Sequence, residues 1–296
     1  MTAQTPGGPR VVAVGGGHGL AATLLAVRRF ASSVTAVVSV ADDGGSSGRL
    51  RRDLGIVPPG DLRRCLVALA AEGSVVARAF EHRFEGSEDE GLQGHALGNL
   101  VIAGLVAATG DLQAALDEAG RLLGGDGRVV PATQEPVVLK ATSDHGEVEG
   151  QSAVTRTAHI RRVSLVPDDP PAAPAAVAAL DSAELVVIGP GSLFTSVLAA
   201  LAVPGLAEAV RRSPGRRAYV ANLRPQAAET AGFDVAAHVE ALKAHGIDVD
   251  VVVADTGGID LGEVGLPVAM AALSRTDGGS GHDPARLAEV LAGLVG

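Results

Sequence analysis

The chain has 296 residues and a formal net charge of −10. This charge excludes the broad positive surface that binding to nucleic acid or to an anionic membrane requires. Hydrophobic residues make up 47% of the chain but aromatic residues only 2%, which is typical of aliphatic parallel strands and the helices that cover them. We therefore expect an α/β protein that does not bind nucleic acid.

The termini and the single cysteine indicate a cytoplasmic protein. Residues 1–9 are polar and rich in Pro and Gly, without the apolar segment of a signal peptide, and we expect them to form a flexible tail. No apolar run approaches the ~20 residues of a membrane span. Cys65 is the only cysteine, which excludes an intramolecular disulfide, and we expect it at a buried helix position. Residues 10–296 are expected to form a single domain.

The first predicted unit is a strand, a glycine-rich loop and a helix. Val11-Val-Ala-Val14 predicts a buried strand, and Leu20 to Phe30 has helical spacing. Between them, Gly15-Gly-Gly-His-Gly19 lacks the G-x-G-x-x-G spacing of a dinucleotide site. The loop still places bare amides at a helix N-terminus, which favours an anion. His18 either donates to a phosphate or is an exposed loop residue without a role.

The second loop follows the predicted strand Val34 to Val40. Residues 41–50 read Ala-Asp-Asp-Gly-Gly-Ser-Ser-Gly-Arg-Leu. The glycines allow close approach of a phosphate or sugar at the end of a parallel strand, where α/β sheets bind ligands. A solvated turn is the alternative, because Gly, Asp and Ser also dominate turns.

Two further segments carry polar side chains at helix starts. Asp61 is expected to cap the helix that runs through Cys65 to Ala70. His95 and Asn99 are four residues apart at the start of the predicted helix Leu100 to Ala108, so they share one helix face. We interpret them as a ligand-facing pair, with satisfaction of the helix end as the alternative. Six Arg-Arg pairs, Arg63-Arg64 among them, are expected mostly at solvated ends.

A β-rich insertion is predicted at about residues 129–166. Val137 to Leu139, Val148 to Val154 and Ile160 to Val166 read as short strands, with a turn at Asp144 to Gly146. A Pro-rich linker at 167–174 leads into a predicted helix over Ala175 to Ala183.

The second half returns to strand and helix alternation. Leu185 to Ile188 predicts a buried strand. The next segment, Gly189-Pro-Gly-Ser-Leu-Phe-Thr-Ser196, again offers amides and hydroxyls at a helix start. Capping of that helix is the alternative role for these hydroxyls. Strands are predicted at Ala218 to Ala221 and Asp248 to Ala254, and helices at Val235 to Ala244 and, capped by Asp283, at Pro284 to Val295. The alternation predicts a mostly parallel, doubly wound sheet, with the loops at 15–19, 41–49, 189–192 and 222–230 at one edge.

Five motifs together resemble one family. They are Gly-Gly-Gly-x-Gly-Leu from residue 15, the segment at 41–50, Pro-Pro-Gly-Asp-Leu-Arg-x-Cys-Leu-x-Ala-Leu from 58, Gly-His-x-Leu-Gly-Asn-Leu from 94 and Gly-Pro-Gly-Ser-Leu-Phe-Thr-Ser from 189. This series, in order over about residues 10–240, resembles the bacterial gluconeogenesis factor family, also called YvcK-like. That family is related to the CofD-like 2-phospho-L-lactate transferases.

The resemblance implies a fold and a function. The fold is a Rossmann-like three-layer α/β/α arrangement. The function is binding of a nucleotide sugar, UDP-N-acetylglucosamine (UDP-GlcNAc) or UDP-glucose, in support of cell shape and cell-wall synthesis during growth on gluconeogenic carbon. The implied protein is a non-catalytic regulator with no required cofactor, a protein partner in cell-wall regulation, and a homo-oligomeric state.

The alternative is a Mg²⁺-dependent transferase of the CofD type, in which Asp42 and Asp43 hold the ion beside a diphosphate. The segment Gly44 to Arg49 favours the gluconeogenesis factor branch. In the binding hypothesis the Gly15–Gly19 and Gly189–Ser192 amides hold the diphosphate. Asp42, Asp43, His95 and Asn99 then recognise uridine, ribose or sugar hydroxyls. No catalytic or metal-ligating residues are assigned. The expected ligand contacts are Gly15, Gly16, Gly17, His18, Gly19, Asp42, Asp43, Gly44, Ser46, Ser47, Arg49, His95, Asn99, Gly189, Gly191, Ser192, Asn222 and Gln226.

Overall fold

A computed structural model of the protein describes residues 7–85, 91–226 and 228–295. Within these ranges the strands are β1 (Arg10–Gly15), β2 (Ser33–Val38), β3 (Arg128–Pro131), β4 (Val138–Ser143), β5 (Gly146–Glu149), β6 (Ile160–Val166), β7 (Leu185–Ile188), β8 (Arg216–Val220), β9 (Val251–Asp255) and β10 (Val268–Ala271). The helices are α1 (Gly17–Val27), α2 (Gly45–Leu54), α3 (Gly60–Leu69), α4 (Val75–Glu81), α5 (Leu97–Thr109), α6 (Leu112–Leu122), α7 (Gln151–Val154), α8 (Pro174–Asp181), α9 (Leu198–Leu201), α10 (Pro204–Arg212), α11 (Val235–Ala244) and α12 (Pro284–Ala292), with a π-helical turn at Leu193–Val197.

Seven strands form one parallel sheet in the order β10-β9-β8-β7-β1-β2-β3. Its central strands are buried along their whole length after the first residue of β1, because helices cover both faces of a parallel sheet. Residues Val11, Val186 and Val252 are at most 2% exposed. The predicted α/β fold, a mostly parallel sheet flanked by helices with a small antiparallel sheet, is confirmed.

The chain order of the strands determines where a ligand site is expected. From β1 the chain builds outward through β2 and β3, and it then returns to β7 on the other side of β1. This reversal is a topological switch point, where the loops after β1 and β7 diverge and leave a crevice. Those loops are the glycine-rich segments after Gly15 and Ile188.

The β-rich insertion differs from its predicted form in two places. Strand β3, predicted as part of the insertion, is instead the edge strand of the main sheet beside β2. The antiparallel sheet has the order β5-β4-β6, and its β4–β5 turn lies at Asp144-His145 as predicted. The run Val148 to Val154 is not one strand, because Gly150 (φ 94°) ends β5 and starts the short helix α7.

Some helix predictions also need correction. Residues 45–50, predicted as a loop, are the first turns of α2. Asp61 is not an N-cap, because α3 already begins at Gly60 and Pro59 holds the cap position. Cys65 is buried in α3 as predicted, and its burial raises the thiol pKa well above the usual value.

Among the described residues, no single helix is long and apolar enough to cross a membrane, although the pair Leu193–Leu201 and Pro204–Arg212, bent by 80°, reaches that length and composition jointly.

Candidate functional site

A polar cavity of about 480 Å³ lies at the switch point, beyond the carboxyl ends of β1, β2 and β7. Its size falls within the range of small-molecule sites. Twelve of the expected ligand contacts line it: Gly16, Gly17, His18, Gly19, Asp42, Gly44, Ser46, Ser47, Asn99, Gly191, Ser192 and Gln226. Residues that the sequence analysis did not assign to the site also line it: Gly45, Gly60, Asp61, Arg63, Arg64, Arg83, Gln151 and Ser196.

Asp61 joins the first loop to α3. Its Oδ2 accepts a hydrogen bond from the Gly17 amide at 2.8 Å, and its Oδ1 pairs with Arg64 Nη1 at 2.5 Å. A Cβ at Gly16 would come within 2.6 Å of Asp61 Oδ2, so a larger residue here would have to displace the Asp61 side chain. The predicted diphosphate donor at Gly17 is therefore already occupied by a carboxylate of the protein.

Asn222 and Gln226 hold the third loop, which is residues 189–192 after β7, in the same way. Asn222 Oδ1 accepts from the Gly191 amide at 3.0 Å, and its Nδ2 donates to the Gly191 carbonyl at 2.9 Å. Gln226 Nε2 donates to Ser192 Oγ at 2.8 Å, and its Oε1 accepts from the Leu193 amide at 3.3 Å. These two side chains thus shape the loop from the 222–230 segment, and the Gly191 amide is not free for an anion. Gly189, at φ 74°, lies beneath the loop, where its amide donates to the Val14 carbonyl.

Two helix N-termini face the cavity without side-chain caps. Neither Gly16, before α1, nor Gly44, before α2, supplies a capping side chain. Within the described residues, the amides of His18 and Gly19 in α1 and of Gly45, Ser46 and Ser47 in α2 have no backbone or side-chain acceptor. Unsatisfied first-turn amides and the positive end of the helix dipole bind anions.

Asp42 and Asp43 are neighbours in sequence but point to different places. Asp42 lines the cavity, where Oδ1 accepts from the Gly44 amide at 3.0 Å. Asp43 lies off the cavity wall, and its Oδ1 accepts from the amide and hydroxyl of Ser152 at 2.9 and 2.6 Å. Asp43 therefore ties α7, and with it the antiparallel sheet, to the second loop.

Asp61 is a second carboxylate that lines the cavity together with Asp42. Burial is the main cause that raises the pKa of Asp42, and the charge of Asp61 raises it further, whereas Gly44, Ser47 and Arg64 lower it. No group of three or more His, Cys, Asp or Glu side chains suited to a metal ion occurs in the described parts of the chain. A divalent ion bound here would thus need the ligand's own oxygens as well as Asp42 and Asp61.

A directional chain of hydrogen bonds runs from Arg63 to His95. Arg63 Nε donates to Asn99 Oδ1, Asn99 Nδ2 donates to Ser46 Oγ, and Ser46 Oγ lies 3.0 Å from His95 Nδ1. Burial, then the Arg49 charge, lowers the pKa of His95, which favours the neutral ring as acceptor of the Ser46 hydroxyl proton. Asn99 therefore lines the cavity itself, whereas His95 lies behind the lining and contacts it through Ser46.

Arg63 corrects the expectation of a solvated arginine pair. Only 1% of its surface is exposed, and it also donates to the Phe80 carbonyl and pairs with Glu81. Arg63 lies in the same Pro-Pro-Gly-Asp-Leu-Arg segment as Asp61, but the motif does not say which of its side chains is buried. Nothing in the spacing alone distinguished this buried arginine from Arg64 beside it.

Glu229 is a buried carboxyl that the sequence analysis did not assign to the site. It is 2% exposed, and neither carboxyl oxygen has a hydrogen bond of good geometry within the described residues. Burial raises its pKa to about 7, and the hydroxyls and amides around Thr195 and Ser192 offset part of that rise. The carboxyl thus sits behind the third loop rather than in the cavity wall.

Comparison with known proteins places these features in a family. Residues 11–265 match the family described as 2-phospho-L-lactate transferase CofD. A relative from Mycobacterium tuberculosis H37Rv is 51% identical over 249 residues, covering 79% of this chain and 72% of the relative. The Bacillus subtilis protein named gluconeogenesis factor is 41% identical over 239 residues, covering 80% of this chain and 75% of that protein. The chain belongs to the gluconeogenesis factor branch of the CofD-like family.

A solved structure supports the same assignment. The crystal structure of a UPF0052 family member from Bacillus halodurans superposes with a TM-score of 0.90 at 35% identity, covering 96% of this chain and 98% of that chain. The gluconeogenesis factor fold described above is thus shared over nearly the whole length. In the present chain, the five motifs that carry the resemblance line the cavity or hold the residues that line it.

Proposed function

We propose that this protein binds a nucleotide sugar of the UDP-N-acetylglucosamine type in the polar cavity and acts as a non-catalytic regulator. In this proposal it supports cell shape and cell-wall synthesis during growth on gluconeogenic carbon, through a protein partner. The observation that carries the binding part is the meeting of the uncapped N-termini of α1 and α2 in one cavity.

The geometry favours a ligand with both anionic and hydroxyl groups. The free first-turn amides, with His18 and Arg64 beside them, suit a diphosphate. The Asp42 carboxylate and the hydroxyls of Ser46 and Ser47 suit ribose or sugar hydroxyls. We thus relocate the proposed diphosphate from the third loop, whose Gly191 amide is bonded to Asn222, to the starts of α1 and α2.

Thermal unfolding of the purified protein tests the ligand class. A ligand at about 100 times its Kd adds ~2.7 kcal/mol to the apparent stability. We expect UDP-N-acetylglucosamine or UDP-glucose to raise the Tm more than UMP or the free sugar does. A rise in Tm with NAD, together with no rise with UDP-sugars, would overturn the assignment.

The family model match favours one rival, a Mg²⁺-dependent transferase of the CofD type. Asp42 and Asp61 are the carboxylates that would hold the ion in that case. Calorimetric titration with and without EDTA separates the two proposals. Binding of the UDP-sugar that requires Mg²⁺ supports the transferase, whereas binding that persists in EDTA supports the regulator.

A further inference from the structure

A second cavity of about 530 Å³ lies beside the main one and is built largely from arginines. Arg49 and Arg52 line it from α2, and because they are three residues apart they share one face of that helix. Arg83, from the segment after α4, also lines it and lines the main cavity as well. The two cavities also share Gly45 and Ser46.

Within the described residues these three arginines form no ion pair. Arg49 donates to the Gln93 carbonyl at 2.5 Å and Arg83 to the Gly94 carbonyl at 3.0 Å, so both are held by neutral acceptors. No described acidic residue lines the cavity, although Asp53 follows Arg52 on the same helix. Thirteen other pairs in the described chain show that its arginines and lysines are commonly matched with an acid.

The three guanidinium groups that line this cavity keep N–H donors beyond those that the Gln93 and Gly94 carbonyls accept. Guanidinium groups bind phosphate and carboxylate in a planar, two-pronged geometry. The hydrogen bonds to the Gln93 and Gly94 carbonyls already restrict the side chains of Arg49 and Arg83. Binding an anion therefore costs these two side chains less conformational entropy.

We propose that Arg49, Arg52 and Arg83 form a second anion site, which takes a phosphate or carboxylate group next to the main cavity. The site goes beyond the proposed nucleotide-sugar function and does not depend on it. The anion belongs either to a separate small molecule or to the far end of the ligand in the main cavity. The shared Ser46 and Arg83 place the two anions side by side in both cases.

Calorimetric titration with inorganic phosphate, at constant ionic strength and without divalent cations, tests the site. We expect Arg49→Gln and Arg52→Gln each to weaken phosphate binding at least fivefold. Arg51→Gln is the matched control. It removes the same charge from the same helix, and Arg51 does not line the cavity. Urea unfolding of each variant checks that the fold is retained.

A repeat titration with saturating UDP-N-acetylglucosamine distinguishes the two sources of the anion. Unchanged phosphate affinity indicates a separate molecule, and competition indicates a group of the main ligand; both support the site. Absence of phosphate binding, or equal weakening by Arg51→Gln and Arg52→Gln, would overturn it. The phosphate titration decides the matter even if UDP-sugars do not bind, so failure of the two proposals can be told apart.

Discussion

Asp42 and Asp43 show how two identical neighbours acquire different roles. Asp42 faces the cavity, whereas Asp43 accepts two hydrogen bonds from Ser152. A single sequence motif thus serves both the cavity, through Asp42, and the attachment of α7, through Asp43. From the sequence both carboxylates are expected to contact the ligand, and only the structure separates them.

The first prediction compares two isosteric variants of these residues. Asp42→Asn removes a charged acceptor from the cavity and is expected to weaken UDP-sugar binding by ~1.5–3 kcal/mol, the range for a hydrogen bond to a charged group. Asp43→Asn keeps an oxygen that can accept from Ser152 and is expected to change affinity less than about threefold. Calorimetric titration of both variants measures this. Equal losses in the two variants would contradict the division of roles.

The second prediction concerns Glu229, whose pKa is raised from 4.5 to about 7 by burial. The native state therefore binds a proton between pH 4.5 and 7 that the unfolded state does not, so the destabilisation is complete above pH 7 and disappears as the pH falls towards 4.5. At 1.36 kcal/mol per pKa unit the destabilisation is about 3 kcal/mol. We expect Glu229→Gln to raise the free energy of unfolding at pH 8 on that order and to change it little at pH 5.

Urea unfolding at both pH values provides the measurement for Glu229→Gln. Glu240→Gln on α11 is its control, because that side chain is 71% exposed beside Lys243 and exposed pairs contribute little. Equal effects of Glu229→Gln at pH 8 and pH 5 would show that the carboxyl has an ordinary pKa in the folded protein.

At the scale of elements, strands and long helices were predictable and the shape of the loops was not. The apolar runs before Gly15 and Gly189 predicted β1 and β7 because buried parallel strands require such runs. The start of α2 was missed because Gly45, Ser46 and Gly48 have low helix propensity. Its first turn is fixed instead by contact with the preceding loop, and no local sequence rule reports that contact.

The candidate site was likewise predictable in part from the sequence. The glycine and aspartate loops were predictable, since the ends of parallel strands meet at one edge. Arg63 and Asp61 were not, because their roles depend on partners 36 and 44 residues away in the chain, Asn99 and Gly17. Burial of an arginine is decided by such long-range acceptors, which helix periodicity does not encode.

The third prediction tests the packing of α2. A Cβ at Gly48 would lie 2.0 Å from the Asp43 carbonyl oxygen, so Gly48→Ala must displace the backbone of the second loop. We expect a loss of ~1–3 kcal/mol in unfolding free energy, as for overpacked sites, and weaker UDP-sugar binding. Gly104→Ala in α5, where a Cβ meets nothing within 4 Å, should instead stabilise by up to ~1 kcal/mol. Chemical unfolding measures the free energy of unfolding of both variants. An unchanged value in Gly48→Ala would contradict the tight contact with the Asp43 carbonyl.

At the scale of the whole molecule, the two sheets are joined next to the cavity. Gln151 at the start of α7 lines the cavity, and Ser152 beside it contacts Asp43. The antiparallel sheet is thus joined to the parallel sheet at the cavity itself. Small-molecule sites often lie where two structural units meet, because side chains from both can then converge on one ligand.

Five histidines in different parts of the molecule are expected to respond to acid in the same direction. Burial is the largest cause that lowers the pKa of five histidines from 6.5, namely His18, His95, His238, His245 and His282. For a lowered histidine pKa, the unfolded chain binds protons near pH 6.5 while the native state binds fewer. The free energy of unfolding is therefore expected to fall as the pH drops from 6.5 towards 5.5. Glu229 acts in the opposite direction over the same range.

The last prediction uses this opposition. In Glu229→Gln the carboxyl whose pKa is raised to about 7 is gone, so its uptake of a proton no longer offsets the histidine effect between pH 7.5 and 5.5. We expect the unfolding free energy of this variant to fall more steeply with acidification than that of the parent protein. The slope, measured by urea unfolding at half-unit pH steps, equals 2.303RT times the difference in bound protons between the unfolded and native states. A slope in Glu229→Gln that matches the parent's would mean that Glu229 takes up no extra proton in this range. A slope of zero, or of the opposite sign, would mean that these histidines titrate alike in the folded and unfolded states.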